Sequence, residues 1–126
     1  MGTLKVLIAD EDDASRAVLA GALQDREDVE LVQEAKGGLE AITYTHYLAP
    51  HIALIDMHLS GLGGIEVAKY IKRFYPETRV VFVINHDVEA RRVECENIGA
   101  DALISADNIR KDLPRVLDRI KGSSLQ

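Results

Sequence analysis

A chain of 126 residues with 47% hydrophobic and 29% charged residues has the size and balance of one globular domain, which excludes fibrous and disordered classes. Its formal net charge of −6 argues against direct nucleic acid binding by this chain, because phosphate neutralisation takes clustered Lys and Arg. No apolar run approaches bilayer length and the N-terminus lacks a basic-then-apolar export pattern, so no membrane partner is expected and the expected compartment is the cytoplasm. A single cysteine, Cys95, leaves no internal disulfide to form.

Leu4 to Ala9 forms the first apolar run and stops at four acids, Asp10, Glu11, Asp12 and Asp13. It reads as a buried strand whose end feeds a helix over about 13–25, capped by Asp12 or Asp13, with Val18, Leu19, Ala22 and Leu23 at helical spacing. Val29 to Ala35 reads as a strand near the sheet edge. After Gly37-Gly38, Leu39, Ile42 and His46 or Tyr47 predict a helix over 38–48, ended by Pro50. His51 to Asp56 is a second buried run that also ends in acid, followed by a loop rich in glycine. Ile65, Ala68, Ile71 and Phe74 or Tyr75 mark a third helix, stopped by Pro76.

Val80 to Ile84 is the most continuous run of β-favouring residues and predicts a central strand. Asp87 is expected to cap the next helix, which carries Val88, Arg91 or Arg92, Cys95 and Ile98, with Gly99 as its left-handed end. Ala102 to Ile104 predicts a short strand. Leu113, Val116, Leu117 and Ile120 predict the last helix, with Asp112 as cap and Pro114 in its first turn. Residues 1–121 are then one domain and 122–126 a C-terminal tail or linker. The order βαβαβαβαβα with right-handed crossovers gives an α/β flavodoxin-like (βα)5 three-layer sandwich, its parallel five-stranded sheet in the order 2-1-3-4-5. Strands 1 and 3 are neighbours in that order, so Asp56 and the acids after Ala9 meet at one sheet edge.

Those residues carry a resemblance. Val6 to Glu11, Ile55 to Gly64 and Val93 to Ile104, with Gly99-Ala100-Asp101, resemble the receiver domain of two-component response regulators over essentially the whole chain. The segment Tyr75 to Val81 looks most like receivers attached to LuxR-type DNA-binding domains. The resemblance implies that Asp56 accepts a phosphoryl group from a sensor histidine kinase or phosphotransfer protein. It implies a Mg²⁺ cofactor held directly by Glu11 and Asp56, through water by Asp10, and by the backbone carbonyl of His58. Hard oxygen donors suit that ion, which offsets repulsion between the anions of a phosphoryl transfer. The expected role is regulatory, not enzymatic. An effector or DNA-binding domain in a longer protein, and a homodimer or partner contact through residues 88–121, are also implied.

Four positions depart from the family pattern. Counting from Gly99, the family's Thr or Ser at the end of strand 4 falls on Ile84, and its Lys at the end of strand 5 falls on Ala106. Asn85 and Ser105 stand one residue away. Leu103 occupies a position that is often aromatic, and Ser60 replaces a proline in the loop after Asp56. Two functions follow as alternatives: a phosphorylated regulatory module, or a pseudo-receiver acting as a phosphorylation-independent interaction or dimerisation module. The resemblance places His58 and His86 at positions that in receivers lie over the pocket mouth, which raises a further expectation, a softer metal such as Zn²⁺ or Mn²⁺ or a pH-sensitive site, against the plainer reading of exposed loop histidines. His46 and His51 are read as surface residues.

Overall fold

The computed structural model describes residues 2–124. Five parallel strands, β1 (Leu4–Ala9), β2 (Val29–Ala35), β3 (Ile52–Asp56), β4 (Arg79–Ile84) and β5 (Ala102–Ser105), form one sheet in the order β2-β1-β3-β4-β5. Helices α1 (Asp13–Gln24), α2 (Gly38–Leu48), α3 (Gly64–Phe74), α4 (Val88–Ile98) and α5 (Ile109–Ser124) make the crossovers. This is the flavodoxin-like sandwich that the alternation of elements predicts.

The central strands read as unbroken apolar runs because both of their faces are covered. Val6, Ile8, Ile52, Leu54, Val81 and Val83 pack on one side with Leu19 and Leu23 of α1 and Leu113 and Leu117 of α5. Leu7, Ala9, Ala53, Ile55, Phe82 and Ile84 pack on the other with Ala41 of α2, Val67 and Ile71 of α3 and Cys95 of α4. Successive residues thus alternate between two cores, the period of two that a strand dictates.

Several helix faces differ from their periodicity. Leu39 and Tyr47 are 73% and 77% exposed, and α2 meets the sheet through Gly38, Ala41 and Thr45 instead. Small residues win there because the helix start lies hard against Leu62, where a Cβ on Gly38 would overlap the Leu62 main chain. In α1 the buried face includes Arg16, while Val18 is exposed. In α3 Phe74 is exposed and the buried stripe is Gly64, Val67, Ala68 and Ile71.

The caps divide in the same way. Asp12 is the N-cap of α1, its carboxylate accepting from the Ser15 N–H, and Gly99 ends α4 in the left-handed region at φ 94°. Asp87 precedes α4 but has φ 56° and makes no capping hydrogen bond. Asp112 does not begin α5: a 3-10 turn at Ala106–Asn108 leads into a helix starting at Ile109. Asp112 instead accepts from the Ser105 N–H at 3.2 Å, tying α5 back to the end of β5. Pro114 therefore lies in the second turn, where it removes the donor that would reach the Arg110 carbonyl. The segment expected as a tail is helical as far as Ser124, and Leu125 and Gln126 lie outside the described residues.

Candidate functional site

The site is built where β1 and β3 end side by side. Ala9 pairs with Ile55, so Asp10 and Asp56 both emerge one residue later at the carboxyl edge of the sheet, where open α/β sheets place their ligands. Asp10 is held from three directions. Its N–H donates to the Ala35 carbonyl at 3.0 Å, its own carbonyl accepts from the Arg16 guanidinium at 2.8 Å, and its Oδ1 accepts from the Asp12 N–H at 2.9 Å. Only 3% of Asp10 is exposed. Burial, more than any other cause, pushes its carboxyl up to about 6, and the charges of Asp56 and Asp12 add to the rise against the bond from the Asp12 N–H.

Asp56 is half-buried and its Oδ1 accepts from the His58 N–H at 3.0 Å. The strand end is fixed by the Met57 N–H, which donates to the Val83 carbonyl at 3.1 Å. Gly64 opens α3 directly behind it, so close that a Cβ there would overlap the Asp56 carbonyl oxygen. In front of Asp56 lies a crevice of about 210 Å³ shared with Asp10, Asp12, Val83, Asn85 and Ala106. No Lys or Arg lines it among the described residues.

The expected residues are therefore brought together only in part. Asp10, Asp56 and His58 converge, whereas the Glu11 carboxylate is turned onto the loop after β3. There Oε1 accepts from the Ser60 N–H at 3.1 Å and Oε2 from the Ser60 hydroxyl at 2.6 Å. Asp12 occupies the crevice beside Asp10 in its place. His58 and His86 are both exposed, and among the described residues no three His, Cys, Asp or Glu side chains gather as a metal-binding group. The two-imidazole metal site is thus not assembled. The carboxylates that line the crevice, those of Asp10, Asp12 and Asp56, are nonetheless hard oxygen donors of the kind that suit Mg²⁺ rather than Zn²⁺.

Ile84 is fully buried in the core shared with Phe82 and Cys95, so its position presents no polar group to Asp56. Ala106 lines the crevice but has nothing to donate. Asn85, the residue after Ile84, does line it, which the one-residue neighbourhood had left open. Arg16 was not singled out by the sequence. It reaches Asp10, Asp13 and Glu34 from the buried face of α1, and its signal was a cation one helical turn beyond the acids.

An open, parallel (βα)5 sheet in the order β2-β1-β3-β4-β5, with one acid just after β1 beside another at the end of β3, is the architecture of a flavodoxin-like receiver domain. The chain belongs to the response regulator receiver domain family, whose model matches residues 6–118. It is 28% identical over 111 residues to the response regulator protein VraR of Staphylococcus aureus, an alignment covering 88% of this chain and 53% of that protein. The signal receiver domain of the response regulator NarL from Mycobacterium tuberculosis superposes with a TM-score of 0.88 at 28% identity, covering 97% of this chain and 99% of that one. The response regulator RcsB of Salmonella typhimurium superposes with a TM-score of 0.91 at 22% identity, covering 98% of this chain and 62% of that one, a likeness of fold. The chain spans about half the length of the curated relatives it matches. No helix among the described residues is long and apolar enough to cross a membrane.

Proposed function

We propose that this receiver domain accepts a phosphoryl group on Asp56 from a sensor histidine kinase or phosphotransfer protein, with Mg²⁺ as cofactor, and so regulates an effector or partner. The observation that carries the reading is the half-buried Asp56 carboxylate beside the buried Asp10 in a crevice whose lining includes no cation among the described residues. In the transfer the donor's phosphorus–nitrogen bond breaks as a carboxylate oxygen of Asp56 bonds to phosphorus, giving an acyl phosphate. Asp10, Asp56 and the His58 carbonyl would hold the metal, with Glu11 a further ligand once it leaves Ser60. Bound there, Mg²⁺ supplies charge to offset that of the carboxylates and the phosphoryl oxygens. The His58 N–H orients Asp56, and Asp12 and Arg16 hold Asp10 in place.

A second reading is favoured by Ile84 and Ala106. Each hydrogen bond to a charged group is worth roughly 1.5–3 kcal/mol, so lacking both family donors lowers the stability of a phosphorylated state by a few kcal/mol. It also removes the hydroxyl whose movement would reach the half-buried Leu103. In that reading the domain is a phosphorylation-independent interaction or dimerisation module, and its surface over residues 88–121 meets the partner. A groove of about 200 Å³ runs there between α4, β5 and α5, lined by Arg92, Glu96, Leu103 and Arg119.

Incubation with Mg²⁺ and a small phosphodonor, with beryllofluoride in parallel, separates the two. A phosphoryl mass gain lost in Asp56→Asn, with amide shift changes spreading to residues 88–121, supports the first. Mg²⁺ binding without either change supports the second.

A further inference from the structure

The Glu11–Ser60 contact depends on a residue that the rest of the site does not use. Both oxygens of the Glu11 carboxylate are taken by Ser60, one by its main-chain N–H at 3.1 Å and the other by its hydroxyl at 2.6 Å. A two-point, charge-assisted contact of this kind fixes where a carboxylate stands as well as lending it stability. Neither donor would exist if residue 60 were proline, which has no N–H and no hydroxyl. The same contact bridges two loops, 49 residues apart in sequence, that follow β1 and β3 at the carboxyl edge of the sheet.

We propose that Ser60 is a positioning residue for Glu11: it latches the carboxylate to the β3–α3 loop and away from Asp10 and Asp56, so that a divalent cation at the crevice must break the latch to recruit it. The inference rests on the reading of Asp10, Glu11 and Asp56 as cation ligands and assigns that site a built-in competitor. Cation binding and the loop after Asp56 are thereby coupled. When Glu11 turns toward the metal, Ser60 loses its acceptor and residues 58–62 are released. In the metal-free protein the loop is held.

The full chain tests this, with Mg²⁺ and Mn²⁺ as probes. In metal-free protein, carboxyl-detected NMR follows Glu11 and amide spectra follow residue 60 and its neighbours. Isothermal titration calorimetry measures cation affinity in the wild type, Ser60→Ala, which keeps the N–H donor, and Ser60→Pro, which removes both. The expected result is a displaced Glu11 carboxyl resonance in both variants before any metal is added. Affinity then tightens about threefold in Ser60→Ala and about tenfold in Ser60→Pro, as one and then two charge-assisted bonds in partly exposed surroundings are removed. Addition of metal to the wild type should move the Ser60 amide resonance, and the same addition to Glu11→Gln should not.

Wild-type binding with unchanged or weaker affinity in both Ser60 variants overturns the latch and leaves the cation site standing. Absence of cation binding in the wild type and in both variants overturns the cation-site reading itself, and the competition with it. A Glu11 resonance indifferent to Ser60→Pro in metal-free, folded protein overturns the latch whatever the affinities are.

Discussion

Asp10 and Asp56 stand one residue beyond the paired couple Ala9 and Ile55 on adjacent parallel strands, and the charge of Asp56 adds to the burial that raises the Asp10 carboxyl to about 6. Two acids are thereby stacked at a sheet edge where one of them is costly to ionise. Such an arrangement is a mark of function over stability.

Asp10→Asn should therefore stabilise the metal-free fold at neutral pH. The folded pKa lies above the ordinary value of 3.8, so the neutral acid is the form that folding favours. That contribution is fully present below the ordinary value and is lost as pH rises through about 6. An asparagine is neutral throughout and keeps the acceptor for the Asp12 N–H. Its gain should be small at or below the ordinary value of 3.8, grow as pH rises and reach about 1–3 kcal/mol above pH 7, since a tenfold change in a proton's affinity corresponds to about 1.4 kcal/mol. Urea unfolding in chelator at several pH values reads it, and a gain independent of pH would show that Asp10 ionises normally. The same variant should lose Mg²⁺ affinity.

Gly64→Ala is expected to disturb the acceptor itself. An added Cβ would overlap the Asp56 carbonyl oxygen and lie 2.8 Å from the Met57 carbonyl oxygen and 2.9 Å from its Cα. These are main-chain atoms with no rotamer to retreat into, so the strand end or the helix must move, at a cost of about 2–3 kcal/mol. Gly122→Ala is the matched control, since nothing lies within 4 Å of the added carbon; in a helix it should gain up to about 1 kcal/mol. Thermal unfolding of the pair, with the His58 amide resonance as a local reporter, checks both. Equal stability of the two variants would mean that the close approach at Gly64 is not tight.

The strands were legible because burial on both faces leaves runs such as Val80 to Ile84 with no polar residue, and acid after Ala9 and Ile55 marked the edge where the site lies. The helix faces were less so. Periodicity in α2 points to Leu39 and Tyr47, yet the close approach to Leu62 selects Gly38, Ala41 and Thr45, and tertiary proximity is not written in a local pattern. Asp112 and Pro114 misled because the 3-10 turn after β5 starts the helical path earlier than any cap residue signals. Glu11 could be placed next to Asp10 in sequence, but its direction depends on Ser60 in a distant loop. Acids at 12 and 13 both suit the cap of α1 by sequence, and Asp12 is the one that fills it; the same residue also donates its N–H to Asp10.

Ala106→Lys should restore a cation to the crevice. Ala106 and Asp56 line the same cavity, and a hydrogen bond from an ammonium to a phosphoryl oxygen is worth roughly 1.5–3 kcal/mol. Formation of the acyl phosphate from a small phosphodonor should speed up by about tenfold or more. Adding Ile84→Thr supplies the hydroxyl but opens the core beside Phe82, at about 1–3 kcal/mol of stability. Intact mass against time reads the gain. No acceleration in a folded Ala106→Lys protein would show that the missing lysine does not limit Asp56.

Asp28 supplies a pH dependence of opposite sign. Arg26 grips both of its oxygens, at 2.9 Å from Nε and 2.8 Å from Nη2, while Lys121 reaches it at 2.9 Å. Arg26 also bonds Asp118 at 2.7 Å, so the turn between α1 and β2 is clamped to α5. The Arg26 bonds first, and Lys121 second, hold the Asp28 carboxyl far below the usual carboxylate range. A folded pKa below the unfolded one contributes stability that is present above the ordinary value and is lost as pH falls through the folded one. Asp28→Asn should therefore cost about 1–2 kcal/mol at pH 7, the side chains being only a fifth to a quarter exposed. The difference in Tm between wild type and variant should be constant from pH 8 to pH 5 and shrink below about pH 4. A difference that stays constant down to the acid limit of folding would assign the cost to lost packing and not to the ion pairs.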